Sequence, residues 1–65
     1  MGSLKQLGNK FKQAREKLGL TQADVAIKAK MTVNYYAMIE RDEVNPSFTK
    51  LQNIARVLKI EIKIF

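Results

Sequence analysis

An amide, a thioether and a guanidinium share one side of a short stretch that begins at Thr32. With Tyr36 set at zero on a helical wheel and roughly 100° per residue, Ile39 and Glu40 fall within about 60° of it. Asn34, Met38 and Arg41 fall on the far side, with Ala37 beside them. No carboxylate joins this outer set until Asp42 and Glu43, past the last turn. An amide gives and takes hydrogen bonds at once, a guanidinium grips an oxyanion, and a thioether fits apolar bumps. Such a face suits a surface of mixed hydrogen-bonding edges bordered by negative charge. Catalysis has no comparable set. There is no cysteine and no histidine, no Gly-rich phosphate loop, and the acids stand alone or cluster at Asp42-Glu43. An enzyme is therefore not expected, and neither is a metal or a cofactor.

The elements that must position this face carry their own start and stop signals. Thr21 is placed to cap one helix, with Asp24 at the third helical position of a capping box, and Thr32 is placed to cap the next. Lys28 to Met31 leaves about four residues for the turn between them, a helix-turn-helix spacing. Small side chains at Ala23, Ala26 and Ala29 allow the two helices to lie close, and Met31 is placed to plug the core beneath the turn. Before this unit, Leu4, Leu7, Phe11, Ala14 and Leu18 form an apolar stripe. Gly8 interrupts it at a helix-propensity cost of about 1 kcal/mol, which predicts fraying of the first turns. Gly19 supplies the left-handed stop, with Leu20 packing back. After the unit, Pro46 disfavours helix at Asn45 and Ser47 caps a helix whose inward stripe is Phe48, Leu51, Ile54, Ala55 and Leu58. From Ile60 the period changes to two: Ile60, Ile62 and Ile64 alternate with Glu61 and Lys63, the pattern of a strand.

The predicted fold class is all-α, a compact four-helix bundle with a helix-turn-helix and a short C-terminal β-strand. The predicted helices cover 4–18, 22–29, 33–42 and 48–58, and the strand 60–65, all in one domain spanning 1–65. Twelve Lys/Arg against six Asp/Glu give a net charge of +6, spread over every segment. That balance favours a polyanionic partner, nucleic acid before acidic membrane. No apolar run reaches the roughly 18 residues of a membrane span, and no signal-peptide core opens the chain, so a cytoplasmic protein is expected.

The runs LGLTQADVA, MTVNYYAMIER and NPS resemble the Cro/phage-repressor (XRE-type) helix-turn-helix domains over about residues 4 to 60. Gly19, Thr21-Gln22, Ala26, Tyr36, Ile39-Glu40-Arg41 and Asn45-Pro46-Ser47 carry the likeness. The resemblance implies a lambda-repressor-like fold. It also implies a structural ion pair between Arg15 and Glu40, against the alternative of an exposed, unpaired arginine. By the same resemblance Gln22 holds a phosphate at the start of its helix. The chain departs from the family at Ile27, where a polar residue is usual, and at Lys30, where glycine is frequent because the turn needs a positive φ. It departs again in the tail, where family members often have a fifth helix.

Together these features point to sequence-specific binding of double-stranded DNA by a transcriptional regulator, a repressor first. The helix from Thr32 enters the major groove. Asn34 is the candidate for direct readout, because its amide matches adenine N6 and N7, while Val33, Ala37 and Met38 are placed to read thymine methyls. Thr32, Arg41 and Lys50 are further phosphate candidates. Tyr35 is either a flanking contact to the sugar-phosphate wall or an ordinary half-buried tyrosine. Ile60, Ile62 and Ile64 are the dimerisation candidates, through an antiparallel strand pair about a two-fold axis and hence a near-palindromic operator. The tail's alternative is the first turn of a truncated fifth helix, with Ile62 and Phe65 packed on their own domain. Two other functions remain open: the antitoxin of a toxin–antitoxin pair, with a toxin as partner, and a protein-binding adaptor that reuses the fold.

Overall fold

The computed structural model describes the backbone of residues 3–62 and the side chains of residues 7–62. Four helices follow one another: α1 (Ser3–Lys17), α2 (Gln22–Lys28), α3 (Val33–Glu40) and α4 (Phe48–Leu58). They enclose one core of Phe11, Val25, Ala26, Ala29, Tyr36, Ile39, Leu51, Ile54 and Leu58, with Leu7, Ala14, Leu20 and Met31 packed at its edge. The fold is all-α.

The caps read from the sequence are present. Thr21 Oγ1 accepts from the Asp24 amide at 3.0 Å while the Asp24 carboxylate accepts from the Thr21 amide at 2.9 Å, a reciprocal capping box. These bonds hold the Asp24 carboxyl below its usual range. Thr32 caps α3 through the Tyr35 amide, and Ser47 caps α4 through the Lys50 amide.

The helix ends share one device. At each, a residue in the left-handed region closes paired backbone bonds: Leu20 to Arg15 and Gly19 to Glu16, Met31 to Ala26 and Lys30 to Ile27, Glu43 to Met38 and Asp42 to Ile39, Ile60 to Ala55 and Lys59 to Arg56. This is the Schellman arrangement, in which orphan carbonyls of the last turn are satisfied. The left-handed residues are Gly19 (φ 71°), Lys30 (61°), Asp42 (59°) and Lys59 (60°). The positive φ expected at the helix-turn-helix turn is thus met by a lysine, at the steric cost a Cβ brings there.

Several expectations need correction. Leu18 lies past the end of α1 and is 43 % exposed, so Leu20 alone packs back on the core from that turn. Phe48 is 53 % exposed. As the first residue of α4 it stands at the edge of the bundle and does not join the buried core. The α3 helix stops at Glu40, two residues early, because Asp42 has already turned left-handed.

Gly8 is buried, and its reason is contact. A Cβ there would stand 2.6 Å from the carbonyl oxygens of both Ile39 and Glu40. The missing side chain lets α1 cross the end of α3 at backbone distance.

Residues 60 to 62 are neither strand nor helix. The Lys59 turn commits the Ile60 amide to Ala55, and Ile60 and Ile62 pack against the core of their own domain. A strand needs a paired neighbour, and the described residues offer none. Residues 63–65, and with them Ile64 and Phe65, lie outside the described residues.

Candidate nucleic-acid interface

The α3 helix divides as its sequence does. Tyr36 is fully buried, Ile39 is 3 % exposed, and Glu40 is buried with them. Thr32, Val33 and Asn34 are exposed; Tyr35 and Met38 are half-buried. Among the candidate base readers, Val33, Asn34 and Met38 therefore reach the surface together. Ala37 does not: at 8 % exposure its methyl is covered, so it is withdrawn from the reading face. The wheel placed it at the border, and a side chain of one carbon at a border does not reach past its neighbours. The Asn34 amide lies 3.8 Å from the Met38 sulfur. A thioether is a weak acceptor, so this contact leaves the amide's hydrogen-bonding capacity available.

Beneath α3 sits a charged network that fixes its angle. Arg15 reaches from α1 to the Glu40 carboxylate, Nε donating to Oε2 at 2.7 Å and Nη2 to Oε1 at 3.3 Å. Arg15 Nη1 also donates to the Leu20 carbonyl at 3.0 Å. Gln22 Nε2 donates to Glu40 Oε1 at 2.9 Å from the start of α2. The Tyr36 hydroxyl is buried beside this carboxylate without a partner in hydrogen-bond geometry among the described residues. Burial first, and the nearby Glu40 carboxylate next, push its ionisation far up. For Glu40, burial alone would raise the carboxyl, but Arg15, Tyr36 and Gln22 together outweigh burial and hold it below the usual carboxylate range. Its hydrogen bond to Glu40 raises Arg15 in turn. With side chains only 12 % and 4 % exposed, this is a shielded ion pair and not a surface one.

Two phosphate candidates are already engaged. Gln22, expected at a phosphate, spends its amide N–H on Glu40 and becomes a brace between α1, α2 and α3. Its second amide N–H and the backbone amides that open α2 are the donors left for a phosphate there. Arg41 is paired with Glu43, Nε to Oε2 at 2.9 Å and Nη2 to Oε1 at 3.1 Å, on the exposed surface. The pair holds Glu43 below and Arg41 above their ordinary values. Exposed pairs of this kind are weak and a phosphate can displace the carboxylate, but Arg41 is not a standing free cation.

Lys50 is differently placed. Its ammonium lies 5.8 Å from the centre of the Tyr35 ring, which ties the first turn of α4 to the first turn of α3. Thr32, Tyr35 and Lys50 line one open groove together with Lys30 and Met31. Lys30 was not among the sequence-derived candidates. Its signal was the departure from glycine at a left-handed position.

A family model described as Helix-turn-helix matches residues 11–65. The chain is also 39 % identical, over 56 residues, to the immunity repressor protein of Bacillus phage phi105, an alignment covering 86 % of this chain and 39 % of that protein. It thus spans about two-fifths of that relative's length. No solved structure matches it significantly. The family match covers the capped α2–turn–α3 unit, the buried Glu40 beneath it and the open face of Asn34 above it. The chain belongs to the helix-turn-helix family, in its Cro/phage-repressor (XRE-type) form.

Proposed function

We propose that this domain binds double-stranded DNA sequence-selectively as a transcriptional repressor, with the helix from Thr32 in the major groove. One observation carries the reading: a helix braced from within by a shielded ion pair presents Asn34, flanked by Val33 and Met38, to the outside. Asn34 pairs with an adenine, Val33 and Met38 lie against thymine methyls, and Thr32, Tyr35 and Lys50 hold the backbone. With so few polar readers, part of the selectivity comes from DNA shape. The relative's name, immunity repressor, supports a phage-type repressor over an antitoxin. The cytoplasm is the compartment this reading implies.

Ile27, 72 % exposed on α2, is the feature that favours a protein-facing role. Titration of duplex DNA separates the readings. Log affinity is expected to fall linearly with log salt, by about 0.9 per phosphate neutralised. Asn34→Ala is expected to lose roughly 1–3 kcal/mol on the preferred site and to relax one base pair of its preference. Salt-independent binding, or none, returns the domain to the adaptor reading; an unchanged ranking of sites removes Asn34 from the base edge.

We also propose that the tail pairs two copies. Ile60 and Ile62 pack at the edge of the core, which gives the domain an apolar border where the tail of a second copy can join it. Two copies joined there set two α3 helices about one DNA turn apart, roughly 34 Å, on a near-palindromic operator. Sedimentation is expected to give a dimer that becomes a monomer when residues 60–65 are deleted. A full-length monomer, or a dimer indifferent to the deletion, rejects this.

A further inference from the structure

We propose that Lys30 and Lys50 form a two-lysine clamp for a DNA backbone phosphate at the head of α3, on the groove floored by Met31, Thr32 and Tyr35. The clamp rests on the DNA-binding reading and adds to it a residue, Lys30, that neither the sequence motif nor the family resemblance supplies.

Three observations converge on this groove. The first is its lining: Lys30 and Lys50 border it together with Met31, Thr32 and Tyr35, and no carboxylate does. The cleft that adjoins it through Lys30 is lined by Lys28, Asn53 and Arg56 and also lacks an acid. No salt bridge forms to Lys30 or Lys50 among the described residues, so no acid competes for either ammonium.

The second observation is electrostatic misplacement. Neither α3 nor α4 has an acidic residue in its first turn, although α2 has Asp24 there. Helix starts carry partial positive charge, and a lysine in the first turn adds to it. Lys50 does so in α4, with its backbone amide held by the Ser47 cap. Two uncompensated helix starts and two lysines meet at one groove. In the free protein that arrangement is repulsive; an anion seated between the lysines reverses the sign. The Tyr35 ring, 5.8 Å below the Lys50 ammonium, holds that charge over the groove.

The third is the backbone of Lys30. It stands at φ 61° between α2 and α3, where glycine would be unstrained. The lysine therefore weakens the turn, and it lines the same groove as Thr32 and Tyr35 at the head of α3. A phosphodiester fits the pair better than a carboxylate-bearing protein segment, because it arrives together with the major-groove contacts of Val33 and Asn34.

The test uses the whole chain and duplex DNA of random and preferred sequence, titrated between 50 and 200 mM salt. Lys30→Gly is the informative variant: it keeps the left-handed turn and raises thermal stability, so any loss of binding cannot come from unfolding. Lys30→Gly and Lys50→Gln are each expected to shallow the salt slope by up to about 0.9, which over this fourfold salt range is about a 3.5-fold smaller loss of affinity. The ranking of sequences stays unchanged, and Lys12→Gln on α1 leaves the slope as it was. A steep wild-type slope that Lys30→Gly does not alter overturns the clamp and spares the DNA reading. A loss confined to one sequence also overturns it, because it makes Lys30 a base reader. A flat wild-type slope removes the DNA reading and the clamp with it.

Discussion

Glu40→Ala is expected to destabilise the fold by about 3–5 kcal/mol, because it leaves the Arg15 guanidinium buried against the core without its partner. A domain of 65 residues holds a total of roughly 3–10 kcal/mol at ordinary stability per residue. The single variant is thus close to unfolding at room temperature, and Gln22 loses its acceptor at the same moment. Replacing both partners, Arg15→Met with Glu40→Leu, is expected to recover most of the loss, since neither charge is then stranded. Urea unfolding of the four proteins gives the coupling energy; a value near zero would make the pair ornamental. The pH dependence has a defined sign. The folded Glu40 carboxyl lies below its unfolded value, so its contribution is complete above about pH 5 and is lost as pH falls through the folded pKa. In the double variant this acid-side loss is expected to shrink.

Gly8→Ala carries the second large effect, and its direction opposes helix propensity. In an exposed helix, alanine in place of glycine gains about 1 kcal/mol. Here the new methyl meets two backbone oxygens, of Ile39 and Glu40, at 2.6 Å, and the Asp42 carboxylate at 2.9 Å. Backbone cannot rotate away as a side chain can, so α1 must move off the end of α3. Overpacking of this kind costs about 1–3 kcal/mol, which exceeds the propensity gain. Lower thermal and urea midpoints are the expected result. The shift also disturbs the Arg15–Glu40 geometry, since both contacts join the same two helices. A Gly8→Ala protein as stable as the parent would show that α1 does not approach α3 as described.

These two effects mark the border of what could be read from the sequence. Caps at Thr21, Thr32 and Ser47 and the stop at Gly19 were legible because each acts within a few residues of itself. The Arg15–Glu40 pair came from resemblance and its geometry from the fold. The close approach at Gly8 was not legible because its partner lies more than thirty residues away, and a wheel drawn on α1 contains no trace of α3. The bond from Gln22 to Glu40 was hidden for a similar reason: a residue at a helix start looks free until the fold brings a distant carboxylate to it. The tail deceived by period. Alternation of Ile60 and Ile62 satisfies a strand, but a left-handed Lys59 also delivers both side chains onto their own core without one. Asn34 is exposed where the wheel put it; its adenine still awaits the binding measurements above.

The same carboxylate joins α1, α2 and α3, and α2 and α3 contain only seven and eight residues. Helices of that length do not persist alone in water. The domain therefore has no half-assembled form in which the reading helix is folded and the rest is not. In a cell, damage at Arg15, Gln22 or Glu40 is felt as fewer surviving molecules, cleared by proteolysis, and not as weaker grip by each one. A genetic screen for lost repression would return these inward residues alongside Asn34, and only measuring protein abundance would tell the two groups apart.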